Sequence, residues 1–450
     1  MVRQAGEWAE CAVCDGDHFR LALPGHRDEV GRDGIIGAET HGQHGVFGAH
    51  AADLVEGVRP DIVDQQIAHA LCGQTGRSIA ERFSVVIAGR LWQQLGATAR
   101  AECRELRLVA EQGNAVDQGC GTESAQHVEQ HGLAGSFPDV GALLASDVDS
   151  VAIMTQRWSH GELALKALEA GKHVWCEKPM ALTLADAEAM TAAAAKAKGQ
   201  VTALGYAYLR NPALQYARQL ITEGAIGEVF DFRGSVDEDY MADPSLPWSW
   251  RLTRRDAGLG TLGDLTCHLV SLAHEFMGEI GSLCAMADVV HDQRPLAGEA
   301  GKLAQVENDD IAHAVVRFRS GARGVLSSSR IAHGRKNGLR IEVHGSKGML
   351  WLDNERMNEL NLYVADGPVA ARGFRRILSS PAHPAYGKFC PAPGHGLGFN
   401  ELKVIELAEI LHAIQQTPSN HIDFARGLRI EKVIHAFVQS SAARAWVNVE

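Results

Sequence analysis

The chain lacks any apolar run near the eighteen or so residues of a membrane-spanning helix, which sets aside an integral membrane protein. It also lacks a long basic block. Its 43 lysines and arginines against 55 acidic residues leave a formal charge of −12, a balance that argues against nucleic acid as the main partner. The nine cysteines are odd in number and follow no regular spacing, so they read as reduced thiols and not as a disulfide framework. Glu7, Glu10, Asp15 and Asp17 stand where a secretory leader needs an apolar core, and a cytoplasmic location is expected. Internal repeats and low-complexity tracts are missing too. What is present is ordinary globular composition, 46 % apolar and 22 % charged. At 450 residues it suffices for two domains and an extra segment, with a small polar substrate as the expected partner.

Residues 1–80 contain no lysine, six histidines and many glycines, and no sustained apolar period that would build a core. They are expected to form an atypical extension with the composition of a disordered segment. From Phe83 the rhythm changes. Short apolar runs at Ser84–Ala88, Leu106–Ala110, Asp149–Thr155 and His173–Cys176 alternate with helical patterns, the clearest being His160–Ala170, which stops at Gly171. Strands separated by helices of ten to fifteen residues predict parallel βαβ units, and residues 81–201 are expected to form a Rossmann-type parallel-sheet domain. Residues 202–450 start with helices at Asn211–Glu223 and Leu262–Met277. Among these lie strands at Gly227–Gly234, Leu283–Val290, Ala312–Phe318, Ala322–Ser329, Leu339–Gly345 and Gly348–Asp353, and a final helix pair follows, Leu402–Gln415 and Phe424–Ala443. This predicts an α/β domain with an open, mostly antiparallel sheet.

Two constellations carry chemistry. Glu177-Lys178-Pro179 follows the fourth strand, at the carboxyl end where open α/β sheets place their ligands. A lysine there can hold a hydroxyl and stabilise negative charge on its oxygen, and only an X–Pro bond adopts the cis form cheaply. The plain alternative is an exposed loop. Asp264 and His268 are four apart in a helical stretch after Gly258 and Gly260 and so share a face. A carboxylate beside an imidazole suits a histidine that accepts an alcohol proton, although a surface pair has the same spacing.

Taken together, the runs GKHVWCEKPMALTLADAEAM, GYAYLRNPA, ITEGAIGEV, AGLGTLGDLTCH and RKNGLRIEVHGSKGMLWLD resemble the glucose–fructose oxidoreductase/inositol dehydrogenase (Gfo/Idh/MocA) family from about Leu133 onward. PAHPAYGKFCPAPGHGLGFNELK looks like its branch acting on sugars, anhydrosugars and inositols. The resemblance implies a dehydrogenase that passes hydride from a sugar or cyclitol hydroxyl to NAD, or to NADP, and assembles as a homodimer or homotetramer. It implies that Lys178 binds and polarises the reacting hydroxyl. His268 would accept its proton, and Asp264 would hold the imidazole or a neighbouring hydroxyl. Glu177, Thr155 and His160 would line the dinucleotide, with Gln156-Arg157 standing where the family has Pro-Asn. Arg251, beside Trp248 and Trp250, and His395, in a Gly/Pro-rich loop, are candidates for substrate contact, although Arg251 is equally placed to pack between domains.

The glycine fingerprint departs from the family. Gly89 follows the first strand, but Arg90 to Leu95 are bulky where two more glycines belong. Glu111 stands 22 residues after Gly89, where an acidic residue binds a ribose diol and disfavours a 2′-phosphate. Two readings follow: an altered loop that still binds dinucleotide, or a non-catalytic nucleotide- or sugar-binding member. A third keeps the fold but uses a tightly held cofactor to hydrolyse glycosides. Cys11 and Cys14, near His18, His41 and His44, lack a second cysteine pair, and no metal site is expected.

Overall fold

The computed structural model describes residues 107–109, 135–137 and 139–450, and elements are numbered within them. Gly89, Glu111 and the Cys11–Cys14 pair lie outside the described residues. Strands β1 (Arg107–Val109) and β2 (Gly135–Phe137) pair in parallel. Helix α1 (Val140–Leu144) begins at Asp139, whose carboxylate accepts the Ala142 N–H at 2.8 Å, an N-cap. Then β3 (Ser150–Ile153), α2 (Arg157–Glu169), β4 (His173–Cys176), α3 (Leu184–Lys196) and β5 (Thr202–Leu204) alternate, and β3, β4 and β5 pair in parallel in that order. Every residue of β3 and β5 is buried, so both faces are covered, and such strands read as short runs without polar alternation. Helix α2 starts three residues before the sequence reading placed it. Its first turn carries the exposed Trp158, so the apolar stripe begins only at His160.

A 3₁₀ turn (Ala207–Arg210) leads into α4 (Pro212–Thr222), started by the Asn211 side chain and a proline at the first helical position. Next come β6 (Val229–Asp237), α5 (Arg254–Ala257), a π-helical turn (Leu262–Thr266) running straight into α6 (Cys267–Met277), and β7 (Ile280–Asp288). Then β8 (Gln293–Pro295) and β9 (Leu303–Gln305) form a separate hairpin. The chain continues through β10 (Ile311–Phe318), β11 (Arg323–Ser329), β12 (Gly338–Gly345), β13 (Gly348–Asp353), β14 (Glu359–Val364) and β15 (Arg375–Leu378). It ends with α7 (Phe399–Ile414), α8 (Phe424–Ala443) and β16 (Val447–Asn448).

Nine of these strands make one sheet in the order β15-β14-β13-β12-β6-β11-β10-β7-β16, antiparallel at every pairing except β6 with β11. The fold is thus a Rossmann-type parallel sheet followed by an open, mostly antiparallel one, as the pattern predicted. Strand β6 runs three residues beyond the expected end at Gly234. That glycine sits mid-strand because the side chains of Leu269 and Phe232 occupy the space a Cβ would need. The short strands β8, β9, β14, β15 and β16 were not anticipated; β15 and the β8–β9 pair are too exposed to show alternation. One face of the large sheet carries α6 and α8. Helix α8 buries Phe424, Ile430, Val433, Ile434 and Phe437, each contributing roughly 1.5–3 kcal/mol of transfer free energy. It packs on both α3 and β7 and so ties the two sheets together.

Candidate active site

Lys178 leaves the end of β4, and the Lys178–Pro179 bond is cis. Its Nζ lies 2.8 Å from Asp264 Oδ1 and 2.8 Å from the Asp264 carbonyl oxygen. The other carboxylate oxygen of Asp264 accepts the Tyr240 hydroxyl at 2.7 Å. Asp264 is delivered by the π-helical turn, which is anchored from below. The Asp309 carboxylate accepts the N–H groups of Gly260 at 2.9 Å and Leu262 at 2.7 Å, satisfying amides that a helix start leaves unpaired. Gly260 is obligatory there, because a Cβ would collide with the Asp309 backbone.

His268 follows one turn later, buried, with its ring edge-on to Tyr208 at 4.7 Å and to Tyr206 at 5.7 Å. Among the described residues its ring makes no hydrogen bond. Burial first, then the charge of Lys178, hold its pKa well below the usual 6.5, while Asp264 pulls the other way and loses. The ring is therefore a neutral base. Burial favours the neutral acid at Asp264, but the charge and hydrogen bond of Lys178 and the hydroxyl of Tyr240 overcome it and hold the carboxyl well below the carboxylate range. Burial likewise opposes the ammonium of Lys178, yet Asp264 leaves its pKa raised. Lysine, carboxylate and imidazole are thus brought together. The carboxylate turns to the cation and the tyrosine, not to the ring. A full positive charge at hydrogen-bond distance outcompetes an imidazole that burial keeps neutral.

The other expected residues fall differently. Glu177, expected toward the dinucleotide, is held by Lys403 at 2.7 Å, and its second oxygen accepts the Lys178 N–H at 3.2 Å. Burial raises its pKa, but Lys403 and Lys178 leave it lowered. His160 is buried, with Nδ1 3.0 Å from the Pro179 carbonyl and Nε2 3.1 Å from the Thr155 carbonyl, so its ring ties the loop after β3 to the loop after β4. Burial lowers its pKa against both carbonyls. Thr155 Oγ1 lies 2.5 Å from Ser159 Oγ. Arg251 is exposed and stacks on Trp250 at 4.6 Å. The Trp248 indole donates to the Gln305 carbonyl at 3.0 Å. His395 is exposed, and its carbonyl accepts the Tyr386 hydroxyl.

Several residues at the site escaped sequence reading. Tyr240 and Glu238 stand just past the true end of β6. Burial, and then the neighbouring Asp264, push Glu238 up to about 7, with Lys178 opposing. The adjacent acidic and aromatic residues of Asp237-Glu-Asp-Tyr240 were the available signal. Arg157, in the place of the family asparagine, reaches from α2 to donate to the carbonyls of Ala257 and of Leu259, the latter at 3.0 Å. It lies against Gly263, where any side chain would displace it.

The donor set suits a nicotinamide dinucleotide. A lysine and a neutral imidazole supply the proton chemistry of an alcohol but nothing that accepts hydride, and Lys178 follows the carboxyl end of the parallel strand β4, where such cofactors bind. Among the described residues no cluster of His, Cys, Asp and Glu is arranged to hold a metal ion. Fold and site together define the class, a nucleotide-fold oxidoreductase.

Comparison with known proteins agrees. Residues 85–205 match the family model for the oxidoreductase family with NAD-binding Rossmann fold, and residues 214–351 match the GFO/IDH/MocA C-terminal domain. The chain is 35 % identical over 338 residues to levoglucosan dehydrogenase of Pseudarthrobacter phenanthrenivorans, covering 72 % of this chain and 86 % of that one. It is 32 % identical over 248 residues to myo-inositol 2-dehydrogenase of Thermotoga maritima, covering 54 % and 68 %. The solved structure of levoglucosan dehydrogenase in complex with NADH and levoglucosan superposes with a TM-score of 0.74 at 32 % identity, over 82 % of this chain and 99 % of that one. The chain belongs to the Gfo/Idh/MocA family of NAD-dependent oxidoreductases.

Proposed function

We propose that this dehydrogenase oxidises a secondary hydroxyl of a sugar, anhydrosugar or inositol, and that Lys178, Asp264 and His268 carry the reaction. The carrying observation is the Lys178–Asp264 pair beside a buried, neutral His268. Bound NAD supplies the hydride acceptor. Lys178 donates a hydrogen bond to the substrate oxygen and stabilises the charge that grows on it. His268 takes the hydroxyl proton as the C–H bond gives up its hydride, leaving a carbonyl. Asp264, fixed by Tyr240, aims the ammonium. Thr155, Glu177 and His160 hold the loops on which the dinucleotide rests, and Gly89 and Glu111 provide its pyrophosphate and ribose contacts, the acidic residue favouring NAD over NADP. Arg251 and His395 are the candidates for contact with distal hydroxyls.

This reading divides the chain near residue 201 into a cofactor domain and a substrate domain, preceded by the extension of residues 1–80. The large sheet's outer face carries Phe230, Met286, Val315 and Val325, each 45–48 % exposed on the adjacent strands β6, β11, β10 and β7. That apolar stripe supports a homodimer or homotetramer joined through the sheet. Cys176, Cys267, Cys284 and Cys390 are free thiols, and no helix among the described residues is long and apolar enough to cross a membrane. Both features support a cytoplasmic protein.

The test is NADH formation over levoglucosan, inositols and aldoses with wild type and with Lys178→Ala and His268→Ala. Turnover by wild type alone supports the roles; near-normal turnover by both variants sinks them.

A further inference from the structure

The loop bearing Lys178 is clasped from behind by the last two helices. Lys403, on α7, is buried, with Nζ 2.7 Å from Glu177 Oε1 and 3.3 Å from Glu406 Oε2, and 5.8 Å above the Trp175 ring. Glu177 has no freedom to swing away. Its other oxygen accepts the Lys178 N–H, and a Cβ on Gly205 would come within 2.9 Å of its carboxylate, so the wall behind it is filled. On the far side of the cis bond, Glu431 of α8 accepts the Met180 N–H at 2.8 Å. The chain from Glu177 to Met180 is thus pinned at both ends, and Lys178 projects from between the pins toward Asp264.

We propose that Lys403 is a positioning residue for the oxidation: it locks Glu177 and thereby sets where the Lys178 ammonium meets Asp264. It acts through Glu177 and not on the reacting atoms. The inference rests on the roles given above to Lys178 and His268. A second readout comes from the charges around His268. Lys178 and Lys403 disfavour the imidazolium, Asp264 favours it, and Tyr206 and Tyr208 contribute apolar ring edges. Without Lys403, Glu177 and Glu406 would be two buried carboxylates side by side, and one of them would take up a proton.

The test compares full-length wild type with Lys403→Met, Lys403→Arg and the double variant Lys403→Met/Glu177→Gln. Two quantities are read: the kcat and KM of NAD-dependent polyol oxidation, and the His268 titration midpoint by NMR, its signal assigned by loss in His268→Gln. For Lys403→Met we expect kcat to fall at least about tenfold with KM within about threefold, because misplacement of a reacting group costs rate more than binding. The His268 midpoint should rise, and Lys403→Arg should keep both properties near wild type. A folded Lys403→Met with kcat within about twofold of wild type, or with an unmoved His268 midpoint, overturns the proposal. Should Lys403→Met not fold, the double variant, which leaves no unpaired charge on Glu177, decides the matter. A fall of at least about tenfold supports the clasp, and wild-type kcat refutes it. If wild type oxidises no polyol, the dehydrogenase reading fails while the NMR shift still judges Lys403.

Discussion

Two lysine–carboxylate pairs lie one residue apart on the same strand end, and their bond lengths hardly differ: 2.8 Å for Lys178–Asp264 and 2.7 Å for Lys403–Glu177. Their surroundings differ more. The first pair keeps 19 % and 33 % of its side chains open, shares its carboxylate with a tyrosine, and lies near an imidazole that makes no hydrogen bond among the described residues. The second keeps 10 % and 23 %, with an aromatic ring over the cation and a glycine wall behind the acid. Distance therefore does not separate the pair proposed to react from the one proposed to support it. An open side, with a base beside it, does. Removing one partner of the more enclosed pair leaves the other with little water, whereas removing the more open lysine should take away the proposed chemistry while leaving the fold.

The contrast is sharpest at Lys178. Lys178→Ala should lower kcat by roughly 10²–10⁴-fold while calorimetric NAD affinity stays close to wild type, and a parallel loss of cofactor binding would break the distinction between the two pairs. His268→Ala should cost somewhat less, about 10²–10³-fold, and should remove the acid limb of the pH profile. In wild type that limb must lie below the ordinary histidine range. The ring has to be neutral to act, and burial together with Lys178 lowers its pKa, so kcat/KM should be flat from about pH 6.5 to 8. A limb centred above that window would contradict a buried base. Tyr240→Phe removes one hydrogen bond from Asp264 and should lower kcat by about tenfold, since a hydrogen bond to a charged group contributes about 1.5–3 kcal/mol at most; an unchanged rate would show that Lys178 alone fixes the carboxylate.

The smallest effect is expected at Glu238. Its carboxyl, raised to about 7, binds more protons folded than unfolded between the usual 4.5 and 7. Its contribution to stability is therefore lost as pH rises through that window. Glu238→Gln should raise the melting temperature at pH 8 relative to wild type by more than it does at pH 5. Equal shifts at both values would mean that Glu238 titrates normally.

Much of this was legible in the sequence because chemistry and periodicity coincide there. Buried strands such as Ser150–Ile153 and His173–Cys176 show as apolar runs, and the Glu-Lys-Pro and Asp-x-x-x-His elements contain both halves of the pair proposed to react. What pairs with what was not legible. Spacing put Asp264 beside His268, yet a lysine 86 residues earlier takes the carboxylate. Glu177 was expected to face the cofactor, and its ion-pair partner, 226 residues away in a helix whose sequence gives no hint of a buried cation, was not legible. Gly234 read as a strand end when close packing from Leu269 was its actual reason. That one error hid Glu238 and Tyr240. Local pattern reports local geometry, while ion pairing inside a core is settled by whichever opposite charge the folded chain brings nearest.

The two pins on the Lys178 loop also bear on how the enzyme comes into being. Glu177 waits for a residue 226 positions downstream, and Met180 for one 251 positions downstream. At roughly 5–20 residues per second, a ribosome needs on the order of ten to fifty seconds to deliver them. Until α7 and α8 dock, the Glu177 carboxylate and the Met180 N–H are open to water, so docking must exchange that hydration for the Lys403 ammonium and the Glu431 carboxylate.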